Sequence, residues 1–161
     1  EVGPWYYEMD EPGFNYRVTD LQCALGRSQL KKLPGFVRRR QEIVDRYNRA
    51  FADHGLIQTP YRNPETQPAW HLYVTQIDFD GLGKSRTEVM NQLRERNIGT
   101  QVHYIPVHLQ PWYRRKYGYG PGKCPVAEAY YDRCLSLPLY PRMSDDDVSR
   151  VIEAVLEVVP S

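Results

Sequence analysis

A short stretch before a predicted helix carries two side chains that could hold an anion. Asn15 and Arg17 lie within the segment Gly13–Asp20. An asparagine amide and an arginine guanidinium both donate hydrogen bonds, and a phosphate group offers oxygens that accept them. The residue types leave a second interpretation open, in which Asn15 forms a turn and Arg17 forms an ion pair at the surface.

A second stretch, Gln101–Tyr113, combines histidine, tyrosine, glutamine and tryptophan on a loop that prolines stiffen. Aromatic rings can stack and their polar tips can form hydrogen bonds. His103, Tyr104 and His108 are therefore candidates for contact with a base, a sugar or a subunit partner. A metal site is the weaker interpretation, because the two histidines flank Pro106, share no helix face and have no third ligand nearby.

The common catalytic sequence motifs are absent from the sequence. It contains no GxSxG, HExxH or P-loop pattern, so it predicts no catalytic residue by motif. The acids Asp145–Asp147 fit a helix start better than a metal site, because consecutive residues of one turn face different directions. Three cysteines without CxxC spacing predict reduced thiols instead of a zinc site or a disulfide framework.

These residues must be positioned by a mixture of helices and short strands. Capping boxes predict that helices start at Thr19 and Ser85, and Ser144 before three acids predicts another start. Pro34 fits the first turn of a new helix, so we expect two helices between Thr19 and His54. Alternating apolar residues predict three strands: 71–79, 98–103 and 135–139. We therefore expect an α+β fold, with a small, mainly antiparallel three-stranded sheet and helices on one side.

The charge and hydropathy of the chain exclude several kinds of partner. Its 161 residues include 21 Lys+Arg and 20 Asp+Glu, for a net charge of +1. So small a charge argues against a nucleic-acid partner. No apolar run has the length of a membrane-spanning helix, and the N-terminal segment lacks the pattern of a signal peptide. We expect a cytoplasmic protein with neither a nucleic-acid nor a membrane partner.

Three longer blocks together resemble a known family. The segment GFNYRVTDLQCALGRSQLKKL matches a G-Y/F-N-Y-R-x-T-D/E-x-Q block, and IGTQVHYIPVHLQPWYRRKYGY matches a block containing HY-x-P-x-H. The segment CPVAEAYYDRCLSLPLYPRMSDDD matches A-E-x-x-Y followed by LSLPLYP. In this order, the blocks resemble the DegT/DnrJ/EryC1/StrS sugar aminotransferases. HYIPVHLQPWYRRKYGY and DLQCALG resemble the branch that makes UDP-4-amino-4,6-dideoxy-N-acetyl-β-L-altrosamine in the pseudaminic acid pathway.

The resemblance implies a type I PLP-dependent transferase that works as a homodimer, with active sites between its subunits. The reaction it implies moves an amino group, usually from glutamate, onto the C4 keto carbon of a UDP-4-keto-6-deoxy-HexNAc. By the same resemblance, Asn15 contacts the phosphate of pyridoxal 5'-phosphate in the neighbouring subunit, and Arg17 contacts the nucleotide sugar. His103, Tyr104 and His108 belong to the loop that lies near the substrate.

The resemblance also implies that the chain is the C-terminal portion of a longer enzyme. In this family the lysine that binds PLP precedes the N-Y-R block, in a large domain. This chain begins after that lysine and without an initiator Met, so we expect it to bind no PLP and to be inactive alone. Within it, we expect residues 1–54 to form an irregular segment and interdomain helices, and residues 55–161 to form the small C-terminal α+β domain.

A second hypothesis comes from a different functional class. The chain has 13 Tyr, and tyrosine is well suited to subunit surfaces because it joins an apolar ring to a polar tip. The alternative is therefore a domain without catalytic activity that binds or assembles with a partner through its Tyr-rich surfaces.

Overall fold

The computed structural model describes residues 4–160, so the outermost residues of the two predicted segments, 1–3 and 161, lie outside the described residues. The chain divides into two compact units, Glu1–Pro34 and Gly35–Ser161. The helices and strands are α1 (Asp20–Phe51), β1 (Ile57–Gln58), β2 (Tyr73–Ile77), α2 (Phe79–Leu82), α3 (Arg86–Glu95), α4 (Pro111–Tyr117), α5 (Pro125–Arg133), β3 (Cys134–Leu137) and α6 (Asp145–Val158), with a 3-10 turn at Val107–Leu109.

Helix α1 is continuous, so the prediction of two helices in this region is wrong. It starts at the predicted capping box, where Gln22 donates its backbone N–H to the Thr19 hydroxyl over 3.3 Å. Pro34 lies inside the helix and cannot donate a hydrogen bond to the carbonyl of Leu30. Leu30 is 67% exposed, so this stretch of the helix lies open to water, which can bond the carbonyl that Pro34 leaves free.

The second half of α1 supplies part of the core of the second unit. Ile43, Val44, Tyr47 and Phe51 are fully buried there, because they recur at the three-to-four spacing of one helix face. The Tyr47 and Tyr73 rings lie 4.9 Å apart. This compact unit therefore includes helical residues that precede residue 55, where we expected the small domain to begin.

The sheet of the second unit is antiparallel, in the order β1-β2-β3. Opposite pairs in its register include Ile57 with Ile77 and Tyr73 with Leu137. Alternation along β2 buries Tyr73, Thr75 and Ile77, as a strand with one face in the core requires. The predicted α+β fold with a small antiparallel sheet of three strands is confirmed.

One of the three predicted strands is not part of this sheet. Residues 98–103 contribute only an isolated bridge between Gln101 and Ser136, and the third strand is β1, which the sequence did not indicate. The Gln101 side chain accepts the backbone N–H of Val102 over 2.9 Å. The register of the bridge would place Gly99 opposite Pro138, which has no backbone N–H and whose carbonyl already accepts the Tyr47 hydroxyl, so the ladder does not extend toward residue 98.

The helix starts follow the sequence closely. Ser85 and Ser144 both form complete capping boxes, with Glu88 and Asp147. In the core stripe of α6, five residues are buried: Val148, Val151, Ala154, Val155 and Val158. Between β2 and α3, Phe79–Leu82 form the one-turn helix α2, which ends at Gly83 in the left-handed conformation with φ 68°.

The phenol of Tyr47 generates a prediction for stability. Its hydroxyl donates to the Pro138 carbonyl over 2.9 Å, and burial raises the pKa of the phenol, so it remains a donor at neutral pH. We expect Tyr47→Phe to lower the free energy of unfolding by about 1–2 kcal/mol, because the part-buried carbonyl of Pro138 loses its donor. Urea unfolding followed by circular dichroism measures this change.

The matched control is Tyr61→Phe, which removes the same hydroxyl from a side chain that is 86% exposed. It should change the free energy of unfolding by less than about 0.5 kcal/mol. Equal losses in the two variants would contradict the assigned hydrogen bond.

Candidate functional site

In the first unit, the two candidate anion-binding residues directly precede α1. Asn15 and Arg17 are both exposed. Nearby, the backbone N–H of Tyr16 donates to the Phe14 carbonyl over 3.1 Å, which turns the chain locally. Within residues 4–160, neither the amide of Asn15 nor the guanidinium of Arg17 forms a side-chain hydrogen bond or ion pair. Their donors therefore remain available to an external acceptor.

In the second unit, the bridge between Gln101 and Ser136 positions the next candidate. The Nδ1 atom of His103 lies 2.8 Å from the hydroxyl of Ser136, a buried residue of β3. This hydrogen bond fixes the orientation of the imidazole and leaves its Nε2 atom available to another partner. Ser136 is a site residue that the sequence analysis did not identify.

Tyr104 continues directly from His103 through a cis peptide bond. The two rings meet edge to face, with centroids 4.6 Å apart. Tyr104 is 71% exposed, so its hydroxyl is free to bond a ligand.

His103 and Tyr104 open onto one groove of about 700 Å³, which we name the His103 groove. Its other lining residues are Pro106, Cys124, Pro125, Val126, Ala127 and Tyr130. The lining is largely apolar with a few polar tips, the composition common in sites for small organic ligands. The structure thus brings two of the predicted site residues together.

His108 does not line the His103 groove. It is only 8% exposed, and its Nε2 atom lies 2.7 Å from the carboxylate of Glu128. The imidazole therefore packs inward and holds the 3-10 turn against α5. This position differs from the substrate contact that the family resemblance implied for His108.

The carboxylate of Glu128 organises the surrounding loop. Besides His108, it accepts the backbone N–H of Gly122 over 2.7 Å and that of Cys124 over 3.1 Å. These two backbone hydrogen bonds, together with His108, lower the pKa of Glu128 below its ordinary value of 4.5. The carboxylate thus joins three segments: the 3-10 turn, the loop before α5 and α5 itself.

The sequence analysis did not identify Glu128 as the residue that anchors this loop, although Glu128 belongs to the A-E-x-x-Y block. One signal was present: Glu128 is the first acidic residue after residues 98–127, which contain none. A single acid at the start of a helix, next to a loop with two histidines, is a natural partner for an imidazole.

Across residues 4–160, no three His, Cys, Asp or Glu side chains group closely enough to bind a metal ion. Among the same residues, no helix has both the length and the apolar character needed to cross a membrane.

The fold places the chain in a class of enzymes. It matches solved aminotransferases over nearly its whole length, and its small antiparallel sheet with helices is the C-terminal small domain of a type I PLP-dependent transferase. A family model matches residues 3–156, and the chain belongs to the DegT/DnrJ/EryC1/StrS aminotransferase family.

Three relatives illustrate this likeness. The chain is 49% identical to the spore coat polysaccharide biosynthesis protein SpsC of Bacillus subtilis, over 98% of the chain and 41% of SpsC. Helicobacter pylori PseC, an aminotransferase involved in the biosynthesis of pseudoaminic acid, matches with a TM-score of 0.85 and 27% identity, over 99% of the chain and 42% of PseC. Spr1654 of Streptococcus pneumoniae, described as a sugar aminotransferase and solved in a PLP form, matches with a TM-score of 0.83 and 31% identity, over 98% and 40%.

The chain spans about two fifths of the length of these relatives.

The hydrogen bonds of Glu128 predict how acid affects stability. Because the folded-state pKa lies below the ordinary value, the ionised carboxylate stabilises the fold above that value, and the contribution disappears as the pH falls through the folded-state pKa. In Glu128→Gln, one accepting oxygen becomes an amide that can only donate. We expect this variant to have a lower Tm than the parent chain at about pH 7, and the difference to shrink toward about pH 3.

The control for this experiment is Glu153→Gln, at an exposed position of α6. It should leave Tm nearly unchanged at both pH values. If the Tm difference between Glu128→Gln and the parent chain is the same at both pH values, the carboxylate does not have the stabilising role described here.

Proposed function

We propose that this chain forms part of a PLP-dependent nucleotide-sugar aminotransferase. The reaction moves an amino group, from glutamate, onto the C4 keto carbon of a UDP-4-keto-6-deoxy-HexNAc. One observation carries the proposal: a model of the DegT/DnrJ/EryC1/StrS aminotransferase family matches residues 3–156. The open groove lined by His103 and Tyr104 of the HY-x-P-x-H block supports it.

Two side chains of the first unit carry hydrogen-bond donors that suit the phosphate group of the cofactor. The amide of Asn15 and the guanidinium of Arg17 suit phosphate oxygens, and neither has a side-chain partner within residues 4–160. We infer that Asn15 binds the cofactor phosphate of a neighbouring subunit in a homodimer and that Arg17 binds the nucleotide sugar. When bound, PLP supplies the electron sink for amino-group transfer.

In the second unit, we propose that His103 and Tyr104 orient the sugar of the substrate. The Nε2 atom of His103 and the hydroxyl of Tyr104 can bond sugar hydroxyls on the His103 groove, while Ser136 keeps the imidazole in one orientation. The contacts of His108 support a positioning role instead of a substrate contact, because its Nε2 atom already bonds Glu128.

The identity of the sugar substrate is the most specific part of the proposal. The blocks around His103 resemble the pseudaminic acid branch, and PseC is a structural neighbour at 27% identity. The identity with SpsC is higher, at 49%. A panel of UDP-4-keto sugars offered to the same enzyme separates these branches, and we expect the 6-deoxy-HexNAc substrate to be aminated fastest.

The activity itself is tested on the protein that the complete open reading frame encodes. With PLP, glutamate and UDP-4-keto-6-deoxy-HexNAc, we expect production of 2-oxoglutarate. Tyr104→Phe should lower kcat/KM by about tenfold, because it removes one hydrogen bond to the sugar.

The control is Tyr61→Phe, at an exposed position outside the lining of the His103 groove, which should leave kcat/KM unchanged. The proposed role of Tyr104 is wrong if its Phe variant is as active as the parent enzyme.

A second prediction concerns the 161-residue chain alone, which we propose is inactive. The chain has five lysines, Lys31, Lys32, Lys84, Lys116 and Lys123, and none lies in the sequence context of the family's PLP-binding lysine. Lys84 already donates to the Val158 carbonyl over 2.8 Å. We expect borohydride to trap no PLP on any single lysine, measured by mass spectrometry of the digested chain; stoichiometric labelling of one lysine would contradict this.

A further inference from the structure

The hydrogen bond between Ser136 and His103 has a direction, and that direction decides which nitrogen of the imidazole carries the proton. The hydroxyl oxygen and Nδ1 lie 2.8 Å apart, a distance that fits two arrangements. In the first, Nδ1 donates its proton to the hydroxyl oxygen. In the second, the hydroxyl donates to Nδ1, and the proton of the neutral ring is therefore on Nε2.

The surroundings of the Ser136 hydroxyl favour the second arrangement. Ser136 is only 4% exposed, and within residues 4–160 its hydroxyl has no hydrogen-bond partner other than Nδ1 of His103. If Nδ1 donated, the proton of the hydroxyl would be buried without an acceptor, which is unfavourable. Donation from the hydroxyl to Nδ1 satisfies both groups.

The backbone of Ser136 is also fixed, so the hydroxyl stays within reach of the ring. The Ser136 N–H donates to the Gln101 carbonyl over 2.8 Å, and the Gln101 N–H donates to the Ser136 carbonyl over 3.2 Å. This pair of hydrogen bonds holds β3 beside the chain that leads into His103, two residues after Gln101. The direction of the side-chain hydrogen bond is thus set by a rigid part of the fold.

The other ring nitrogen of His103 is the one that a ligand can reach. Among the described residues 4–160, its Nε2 atom forms no hydrogen bond, and His103 lines the His103 groove. When Nδ1 accepts from the hydroxyl, Nε2 of the neutral ring carries the proton and can only donate. A donor selects a ligand atom with a lone pair, such as the oxygen of a hydroxyl, carbonyl or phosphate group.

We infer that Ser136 is a positioning residue that fixes the neutral ring of His103 as its Nε2–H tautomer. His103 is then a hydrogen-bond donor toward the groove, and its neutral ring does not act as a general base through Nε2. The groove selects a ligand that places an acceptor oxygen at this nitrogen. In naming that ligand as the sugar of the substrate, this inference rests on the proposed function.

The chain carries its own internal standards for the experiment. It has four histidines, and the contacts of His54 define its tautomer: the Leu56 backbone N–H donates to Nδ1 over 3.2 Å, and Nε2 lies 2.9 Å from the Val159 carbonyl. A backbone N–H only donates and a carbonyl only accepts, so the neutral ring of His54 is the Nε2–H form. His71 is exposed and marks the average of the two tautomers in water.

The test records the ring nitrogen signals of the 161-residue chain, labelled with ¹⁵N-histidine, at about pH 8, where histidine side chains are commonly neutral. A ring nitrogen without a proton resonates far from one that carries a proton. We expect His103 to match His54, with the proton on Nε2, and His103→Gln identifies its signals by removing them. A proton on Nδ1 of His103 would overturn the inference.

Two serine variants test whether Ser136 is the cause. In Ser136→Ala, the His103 signals should move toward the averaged positions of His71. The matched control Ser149→Ala, which removes a hydroxyl that accepts from Arg46 over 2.9 Å, should leave them unchanged. Unchanged signals of the His54 ring show that each variant is folded.

A conservative variant keeps the question open to refutation if alanine disturbs the strand. Ser136→Thr retains the hydroxyl, so His103 should remain the Nε2–H tautomer. His103 signals that are the same in folded Ser136→Ala as in the parent chain would contradict the role of Ser136.

The consequence for catalysis is measured on the protein that the complete open reading frame encodes. We expect Ser136→Ala to lower kcat/KM by about fivefold, because the ring no longer presents its donor in one arrangement. Since Ser136 acts through His103, the double variant Ser136→Ala/His103→Gln should be no slower than His103→Gln alone. Losses that add would mean that Ser136 acts on the fold as a whole, and the positioning role would be wrong.

Failure of this inference is separable from failure of the proposed function. The tautomer is measured on the chain without PLP, glutamate or sugar. An active enzyme in which the neutral ring of His103 carries its proton on Nδ1 refutes only the inference. An Nε2–H ring in a protein without amino transfer refutes only the proposed reaction.

Discussion

The carboxylate of Glu128 is the interaction on which the shape of the site depends. Between Gln101 and Cys124 the regular structure consists of a 3-10 turn and helix α4, and the backbone pairs with a strand at Gln101. The Glu128 side chain supplies three further hydrogen bonds: to His108, to Gly122 and to Cys124. Because Glu128 is a residue of α5, these bonds position both the 3-10 turn and the loop before α5 against that helix.

Much of the fold could be predicted because its signals are local. Ser85 and Ser144 cap helices through contacts three residues away, which a sequence displays directly. The errors arose where a local signal met a competing interaction. Pro34 indicates a helix start, yet it lies within the continuous α1. The strand expected at residues 98–103 is reduced to one bridge, because its register would place Gly99 opposite Pro138, which has no backbone N–H. Strand β1 has only two residues, too few for a recognisable alternation.

For the candidate site, too, residues that local sequence indicates are predictable, and their distant partners are not. Residue type on a proline-stiffened loop indicates His103 and Tyr104, and the structure places both on one groove. Their supports were not found, because Ser136 and Glu128 lie 33 and 20 residues away from the imidazoles they contact. Composition also conceals a local excess of positive charge: residues 98–127 contain four Lys or Arg and no Asp or Glu, whereas the net charge of +1 averages over acids elsewhere in the chain.

The central claim is that this family member serves the transfer of an amino group to a nucleotide sugar. The most direct measurement supplies ¹⁵N-glutamate and UDP-4-keto-6-deoxy-HexNAc, with PLP, to the protein encoded by the complete open reading frame. Mass spectrometry and NMR then follow the label. The account predicts that ¹⁵N appears on C4 of the sugar as 2-oxoglutarate forms. Label that remains in glutamate, in a folded protein with PLP bound, would contradict it.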